Sequence, residues 1–154
     1  MRRIFLPLAA VPAVFVFATP ALANEARVEA RGGVYWNSGL NQTDATAGIA
    51  AGYDFDLGTG LFGGIEGSAD KVLASGTDVY WGLTSRLGVK AGANDKLYVN
   101  GGYTLQKGPN AVHAGAGWEH AFGPVYGKVE YRHFFNEGGL PDSNSVSAGL
   151  GLKF

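Results

Sequence analysis

The chain contains no cysteine among its 154 residues, which excludes disulfide bonds, thiolate metal sites and lipid attachment to an N-terminal cysteine. Charge of one sign does not dominate either, because 12 Lys and Arg residues stand against 13 Asp and Glu residues. A nucleic-acid partner is therefore not expected, since such partners select strongly basic surfaces. After residue 23 no apolar run reaches the ~20 residues that a spanning helix requires. Any membrane insertion of that part must be as a β-barrel.

The first 23 residues have the three parts of a secretory signal peptide. Arg2 and Arg3 form a positive start, residues 4–18 form an apolar stretch, and Ala21 and Ala23 are small residues before a cleavage point. A membrane helix is the alternative, but the apolar stretch is too short and two prolines interrupt it. We predict export, cleavage after Ala23 and one mature domain, residues 24–154. Its ten cations and 13 carboxylates give a net charge of −3 with histidine neutral.

The last ten residues, 145–154, show the pattern that the rest of the chain repeats. Every second residue is apolar, and small or polar residues fill the places between them. Successive side chains of a strand point to opposite faces, so this segment is a strand with one apolar face and one polar face. The apolar positions are Val146, Ala148, Leu150, Leu152 and Phe154.

The same alternation occurs in eight segments separated by turn-forming residues. A membrane strand needs ~9–11 residues, so eight strands and their connections fit within residues 24–154. We predict an all-β fold, an eight-stranded antiparallel up-and-down transmembrane β-barrel, with both termini periplasmic because the strand number is even. The segments are residues 27–36, 45–55, 61–70, 79–89, 97–105, 112–122, 125–135 and 145–154.

Aromatic residues on the apolar register form two groups, as expected for girdles at the two membrane interfaces. The predicted outer girdle is Trp36, Trp81, Tyr103, Tyr131 and Phe135. The predicted inner girdle is Tyr53, Phe55, Phe122 and Phe154. Trp118 lies between the two groups, and the pattern does not explain it.

The polar register carries charges of both signs. The residues are Arg27, Glu29, Arg31, Glu66, Asp70, Arg86, Glu119, Lys128, Glu130, Arg132 and Lys153. An eight-stranded barrel is only just wide enough to be filled with side chains, so these charges should pair and close the lumen, with Glu130 as the central acid. Inward glycines would make room for them. The alternative is the exposed polar sheet face of a soluble β-sandwich.

Several short segments resemble the small outer-membrane β-barrel family of Gram-negative bacteria, the "porin family" that includes opacity-type surface antigens and the OmpA-type transmembrane barrel. The resemblance rests on residues 28–33, 51–58, 63–67, 97–103 and 126–132, and above all on Lys128–Arg132 and the terminal Phe154. Members act in envelope integrity, surface adhesion or minor permeability, and they share no catalytic residues and no cofactor. The resemblance implies outer-membrane lipid and lipopolysaccharide as surroundings, and we expect the protein to be a monomer.

The final strand also resembles the signal that the barrel-assembly machinery reads. Its outward residues Leu150, Leu152 and Phe154 are the positions that carry this resemblance. We therefore expect the assembly machinery to be a partner during biogenesis. The predicted place of residence is the outer membrane, reached after removal of the signal peptide.

Three functions remain open from the sequence. A structural or surface-antigen barrel is favoured, and envelope structure over adhesion, because the predicted outward connections are short and residues 136–144 are the longest. A narrow porin-like channel for ions or small solutes is the second reading. The third is a lipid A-modifying enzyme with His133 as base, but Phe135 stands where a serine nucleophile would be needed. A girdle histidine is the better interpretation of both His133 and His120, and His113 fits either a hydrogen-bonded lumen residue or a pH-responsive group.

Overall fold

The computed structural model describes residues 24–39 and 42–154, so the predicted signal peptide lies outside the described residues. It contains eight strands, and no helix in the described part of the chain is long and apolar enough to cross a membrane. The strands are β1 (Glu25–Asn37), β2 (Thr43–Gly58), β3 (Leu61–Val72), β4 (Val79–Ala91), β5 (Asp95–Leu105), β6 (Ala111–Phe122), β7 (Val125–Asn136) and β8 (Ser143–Lys153).

Each strand pairs antiparallel with the next, and β8 pairs with β1, which closes the sheet into a barrel. Arg27 lies opposite Lys153 at the seam, and Phe154 N donates to Ala26 O at 2.9 Å. The predicted closed, all-antiparallel, eight-stranded fold is thereby confirmed. Glu25 and Phe154 lie at the same end of the barrel, called the terminal end below, and the opposite end is called the loop end.

The turns at the terminal end are tighter than the connections at the loop end. Residues 59–60, 92–94 and 123–124 form the terminal-end turns, whereas residues 73–78, 106–110 and 137–142 form loop-end connections. Gly123 has φ 75° at the first position of its two-residue turn, where glycine is strongly preferred.

The strands extend beyond several predicted limits. The predicted segments 45–55 and 61–70 leave residues 56–60 as their connection, but the turn comprises only residues 59–60, because β2 continues through a register shift between Asp56 and Gly58. The expected long connection at residues 136–144 narrows to 137–142, no longer than residues 73–78. The extra pairing satisfies backbone groups that a looser turn would leave to solvent.

The distribution of apolar and charged side chains between the two faces of the barrel is the reverse of that in a water-soluble protein. Large apolar side chains point outward, with Leu83 66% and Leu150 68% exposed, while arginine, lysine and glutamate side chains are buried inside. Closure rules out the alternative of a β-sandwich, because a single continuous sheet encloses the polar face. An apolar exterior of this kind matches a bilayer rather than water.

Candidate functional site

Fourteen charged side chains in the lumen form one connected set, called the lumen network below. Each is within 4.0 Å of at least one residue of opposite charge. Its seven cations and seven carboxylates balance, so the network is neutral overall. The cations are Arg27, Arg31, Arg86, Lys96, Lys128, Arg132 and Lys153, and the carboxylates are Glu25, Glu29, Asp54, Glu66, Asp70, Glu119 and Glu130.

Glu66 on β3 is the central acid of the lumen network. Its carboxylate has N–O distances of 2.8 Å to Arg27, 2.9 Å to Arg31 and Arg132, and 3.5 Å to Lys128. The expectation that Glu130 holds this place is wrong, because among the cations of the described residues only Arg132 approaches Glu130 closely, at 2.6 Å. Lys128 and Arg31 lie 3.9 and 4.0 Å from Glu130.

The terminal-end half of the network is built around Arg86 on β4. Its guanidinium binds Asp54 through two hydrogen bonds and donates to Glu119 at 3.0 Å. It also lies over the rings of Phe62 and Tyr98, at 5.2 and 4.9 Å from their centroids. Cation–π contact adds stabilisation when the cation is removed from water.

The loop-end half is built around Arg31 on β1. Arg31 donates to both carboxylate oxygens of Asp70, at 2.7 and 2.6 Å. A bidentate pair of this kind fixes geometry as well as charge. Lys128 forms an ion pair with one carboxylate oxygen of Glu29. The other oxygen of Glu29 accepts a hydrogen bond from Tyr126 Oη at 2.9 Å.

Sequence reasoning missed several members of this site. Asp54 lies on the inward register of β2, so strand alternation alone would have found it. Glu25 and Lys96 lie in strand ends that the predicted limits left out, and Lys96 donates to Glu25 at 2.6 Å. Tyr98, also on the polar register, donates to Glu130 at 2.8 Å.

Lys153 was expected in the central cluster but lies at the rim. Its Nζ is 3.0 Å from Glu25, and both side chains are one-fifth exposed. The other predicted lumen charges, from Arg27 on β1 to Arg132 on β7, are buried inside the barrel.

Inward glycines accommodate the large side chains of the lumen. A Cβ added at Gly117 would lie inside contact distance of the Tyr98 ring, and one at Gly151 would meet the Tyr126 ring. Each tyrosine lies directly across from its glycine on the neighbouring strand. The glycines therefore let the two rings lie flat against the wall and bring their hydroxyls to the network.

The predicted girdle residues all lie on the outward register. Most are exposed, including Trp81 at 60% and Phe154 at 76%, whereas Trp36 and Tyr53 are half-buried. The remaining exposed members are Tyr103, Tyr131, Phe135, Phe55 and Phe122. The predicted assembly positions Leu150 and Leu152 also point outward.

Trp118 lies near the terminal end of the barrel, where its indole makes a polar contact. Its indole Nε1 donates to Asp95 Oδ1 at 2.8 Å, and Asp95 begins β5 beside the turn at residues 92–94. The same oxygen lies 2.8 Å from His120 Nδ1. The indole therefore reaches from the apolar wall to a polar group at the rim, as aromatic residues at membrane interfaces do.

The three histidines have different surroundings. His113 is buried in the lumen between Thr84 and Thr104, each 3.0 Å from one ring nitrogen. His133 is outward, with Nδ1 2.8 Å from Asn144 Oδ1. In the part of the chain that the structure describes, no cluster of three or more His, Asp or Glu side chains could hold a metal ion.

A cavity opens at each end of the lumen. The terminal-end cavity has a volume of about 180 Å³ and is lined by Asp54, Phe62, Lys96 and Glu119, among others. The loop-end cavity has a volume of about 300 Å³, and its lining includes Tyr35, Tyr80, Thr104, Phe134 and Ser143. The lumen network and His113 lie between the two cavities.

Comparison with known proteins identifies the fold. No protein-family model and no curated protein sequence matches the chain.

Solved structures of outer-membrane barrels do match it. The N-terminal β-barrel domain of Pseudomonas aeruginosa OprF aligns with a TM-score of 0.64 at 14% identity, covering 84% of this chain and 97% of that one. Neisserial surface protein A aligns with a TM-score of 0.58 at 16% identity, covering 85% and 97%. The outer membrane enzyme PagL aligns with a TM-score of 0.58 at 18% identity, covering 82% and 98%. The chain therefore has the fold of the eight-stranded β-barrels of the bacterial outer membrane.

Proposed function

We propose that the chain is a non-enzymatic integral barrel of the Gram-negative outer membrane with a structural or surface role in the cell envelope. This proposal rests on the distribution of side chains, which is the reverse of that in a water-soluble protein: the exterior is apolar, and the interior is neutral and ion-paired. The exterior suits a lipid environment, and the filled interior leaves no wide path for solutes. The barrel domain of OprF and Neisserial surface protein A have a similar barrel fold.

The proposed orientation places the terminal end in the periplasm and the loop end outside the cell. An exported chain inserted by the assembly machinery would keep both termini inside. The loop-end connections at residues 73–78, 106–110 and 137–142 offer little surface for an adhesive partner. Envelope structure is therefore favoured over adhesion, with lipopolysaccharide and lipid as the surroundings of a monomer.

Deletion of the protein from its own cells tests this proposal. We expect the wild-type protein to fractionate with the outer membrane, and we expect its loss to raise the permeability of the envelope to detergents or dyes without changing lipid A. A protein found in the soluble fraction, or an envelope unaffected by its loss under osmotic and detergent stress, would contradict the proposal.

A narrow ion channel is the second candidate, favoured by the cavities at the two ends of the lumen. The lumen network separates these cavities, so we propose that it acts as a plug. Single-channel recording in planar bilayers distinguishes the two functions. A wild-type protein that conducts K⁺ in steady, well-resolved steps would favour the channel over the structural barrel.

Lipid A chemistry remains the third candidate, because PagL is an outer-membrane enzyme with the same fold. The surroundings of His133 argue against it here. Its Nδ1 faces Asn144, and its Nε2 lies 3.5 Å from Asp142 Oδ2, so both nitrogens face an amide or a carboxylate rather than a hydroxyl nucleophile. Mass spectrometry of lipid A from cells with and without the protein is the test, and a change in acylation would overturn the non-enzymatic proposal.

A further inference from the structure

The loop-end cavity is lined by aromatic rings from opposite walls of the barrel. Tyr35 and Phe134 lie on β1 and β7, the two strands that flank β8, and their ring centroids are 6.1 Å apart. Tyr80 lies on β4, which is four strands from β8 in either direction around the closed sheet. With a volume of about 300 Å³, the cavity is at the small end of the range of ligand sites, ~300–1,000 Å³. It therefore suits a small molecule that has an affinity for aromatic rings.

The loop-end cavity also has a carboxylate in its wall. Asp44 on β2 lies directly opposite Tyr35 of β1 and is half-buried. Among the described residues that line the cavity, it alone carries a charge. Its carboxylate forms no hydrogen bond or ion pair with any residue of the described ranges. Because a partly buried charge is stabilised by an opposite charge, this carboxylate favours a cation as the occupant of the cavity.

The arginines of the loop-end half of the lumen network do not supply that cation. Arg31 donates to both oxygens of Asp70, and Arg132 donates to Glu130 at 2.6 Å. The lumen network is neutral without Asp44, since its seven cations already balance seven carboxylates. Asp44 is therefore a surplus negative charge at the loop end of a balanced lumen.

We propose that the loop-end cavity binds a small organic cation of the quaternary ammonium type, a binding function that goes beyond the structural role proposed above. The rings of Tyr35, Tyr80 and Phe134 attract the positive group, and Asp44 balances its charge. The attraction between a cation and an aromatic face grows when the cation is removed from water, and a quaternary ammonium group gives up water easily because it has no N–H to donate. A divalent metal ion is a poorer fit, since it requires more oxygen ligands than one carboxylate supplies.

The ligand is a free cation rather than the headgroup of a membrane lipid. The continuous wall of eight paired strands separates the cavity from the surrounding bilayer, and the cavity opens at the loop end. A lipid headgroup would also bring a phosphodiester anion close to Asp44, and like charges repel.

The test is isothermal titration calorimetry of the refolded protein with choline chloride. The protein is held in a maltoside detergent, which contains no ammonium group, and sodium chloride screens non-specific attraction. We expect choline to bind saturably, one molecule per chain. The neutral isostere of choline, in which a carbon atom replaces the nitrogen, should bind at least ~10-fold more weakly because it lacks the charge. Phosphocholine, which represents the lipid headgroup, should also bind more weakly than choline.

Variants of the cavity wall assign the binding to its residues. Asp44→Asn keeps the shape of the side chain, removes its charge and should weaken choline binding about 10-fold. Asp78→Asn is the matched control, because Asp78 pairs with Lys107 at 2.9 Å and lies outside the cavity lining. Tyr80→Leu removes a ring and should weaken binding, whereas Tyr80→Phe keeps the ring and should bind choline as the wild-type protein does. Circular dichroism establishes that each variant is folded.

Several results would overturn the proposal. They are no saturable binding of choline to the wild-type protein, equal affinity for choline and its neutral isostere, and an unchanged affinity in folded Asp44→Asn. Tighter binding of phosphocholine than of choline would overturn the assignment to a free cation. If Asp44→Asn does not fold, the Tyr80 variants decide, and equal affinities of Tyr80→Phe and Tyr80→Leu count against the proposal. The structural role is tested separately, by fractionation and envelope permeability, so a failure here leaves it standing.

Discussion

Glu66→Gln is the sharpest perturbation of the lumen network. The substitution keeps the size of the side chain and removes its charge from a site that contacts four cations. The network then carries one uncompensated positive charge inside the barrel. In addition, the new amide nitrogen is a donor placed among groups that are themselves only donors.

The expected loss of unfolding free energy follows from the burial of the site. Removing one partner of a buried ion pair costs about 3–5 kcal/mol, because the remaining charge stays out of water. Two unit charges 4 Å apart interact by about 4 kcal/mol at an effective dielectric constant of 20, which supports the same range. Glu130→Gln should cost less than Glu66→Gln, because within the described residues one cation lies close to Glu130, whereas three lie within 2.9 Å of Glu66. The loop control Glu137→Gln should cost about 1 kcal/mol or less, since Glu137 is exposed and its carboxylate accepts a hydrogen bond from Tyr103 Oη at 3.1 Å.

Urea unfolding in lipid vesicles, followed by tryptophan fluorescence, measures these differences. Single-channel recording of the same variants tests the plug, and Glu66→Gln should raise the ion conductance. If Glu66→Gln matches Glu137→Gln in both stability and conductance, the reasoning from buried ion pairs is refuted. Should Glu66→Gln fail to fold, addition of Lys128→Met, which restores the charge balance, should recover folding.

Three further outcomes are expected. Gly117→Ala should lower the unfolding free energy by about 1–3 kcal/mol, as overpacking does, because the Tyr98 ring must move; outward Gly67→Ala, with no heavy atom within 4 Å of the added Cβ, is the control in the same urea titration. Deleting Phe154 should reduce the amount of protein in the outer membrane, measured by immunoblot, more than it reduces stability in detergent, since its side chain is exposed and the loss there is that of its two backbone hydrogen bonds with Ala26. Equal membrane levels would contradict the assembly role. N-terminal sequencing of the mature protein should begin at Asn24, and a start at Met1 would refute the export argument.

The strands were predictable because side-chain alternation is a local property. The alternation of residues 145–154 predicts β8, which spans Ser143–Lys153. The strand ends were harder, because pairing with a neighbour rather than polarity decides where a strand stops. Thr43 and Asp44 read as turn residues, yet they pair with Trp36 and Tyr35 of β1.

The members of the lumen network were mostly predictable, whereas their partners were not. Strand register determines which residues lie directly across from one another, but Arg and Lys side chains reach further than one strand. Arg31 of β1 binds Asp70 of β3, and Arg132 of β7 binds Glu66 of β3 on the far wall. Glu130 looked central because Lys128 and Arg132 flank it along β7, a criterion that ignores contacts across the lumen.

Charge balance shows why the rim residues belong to the same site as the core. The fully buried part of the network holds six carboxylates but only five cations, an imbalance that a low-dielectric interior tolerates poorly. Lys96 supplies the missing charge by donating to Asp54 at 2.9 Å, while its own position near the rim leaves it partly hydrated. Lys153 then balances Glu25 in the same way. A barrel this narrow thus closes its lumen with a neutral set of charges only because the strand ends contribute to it.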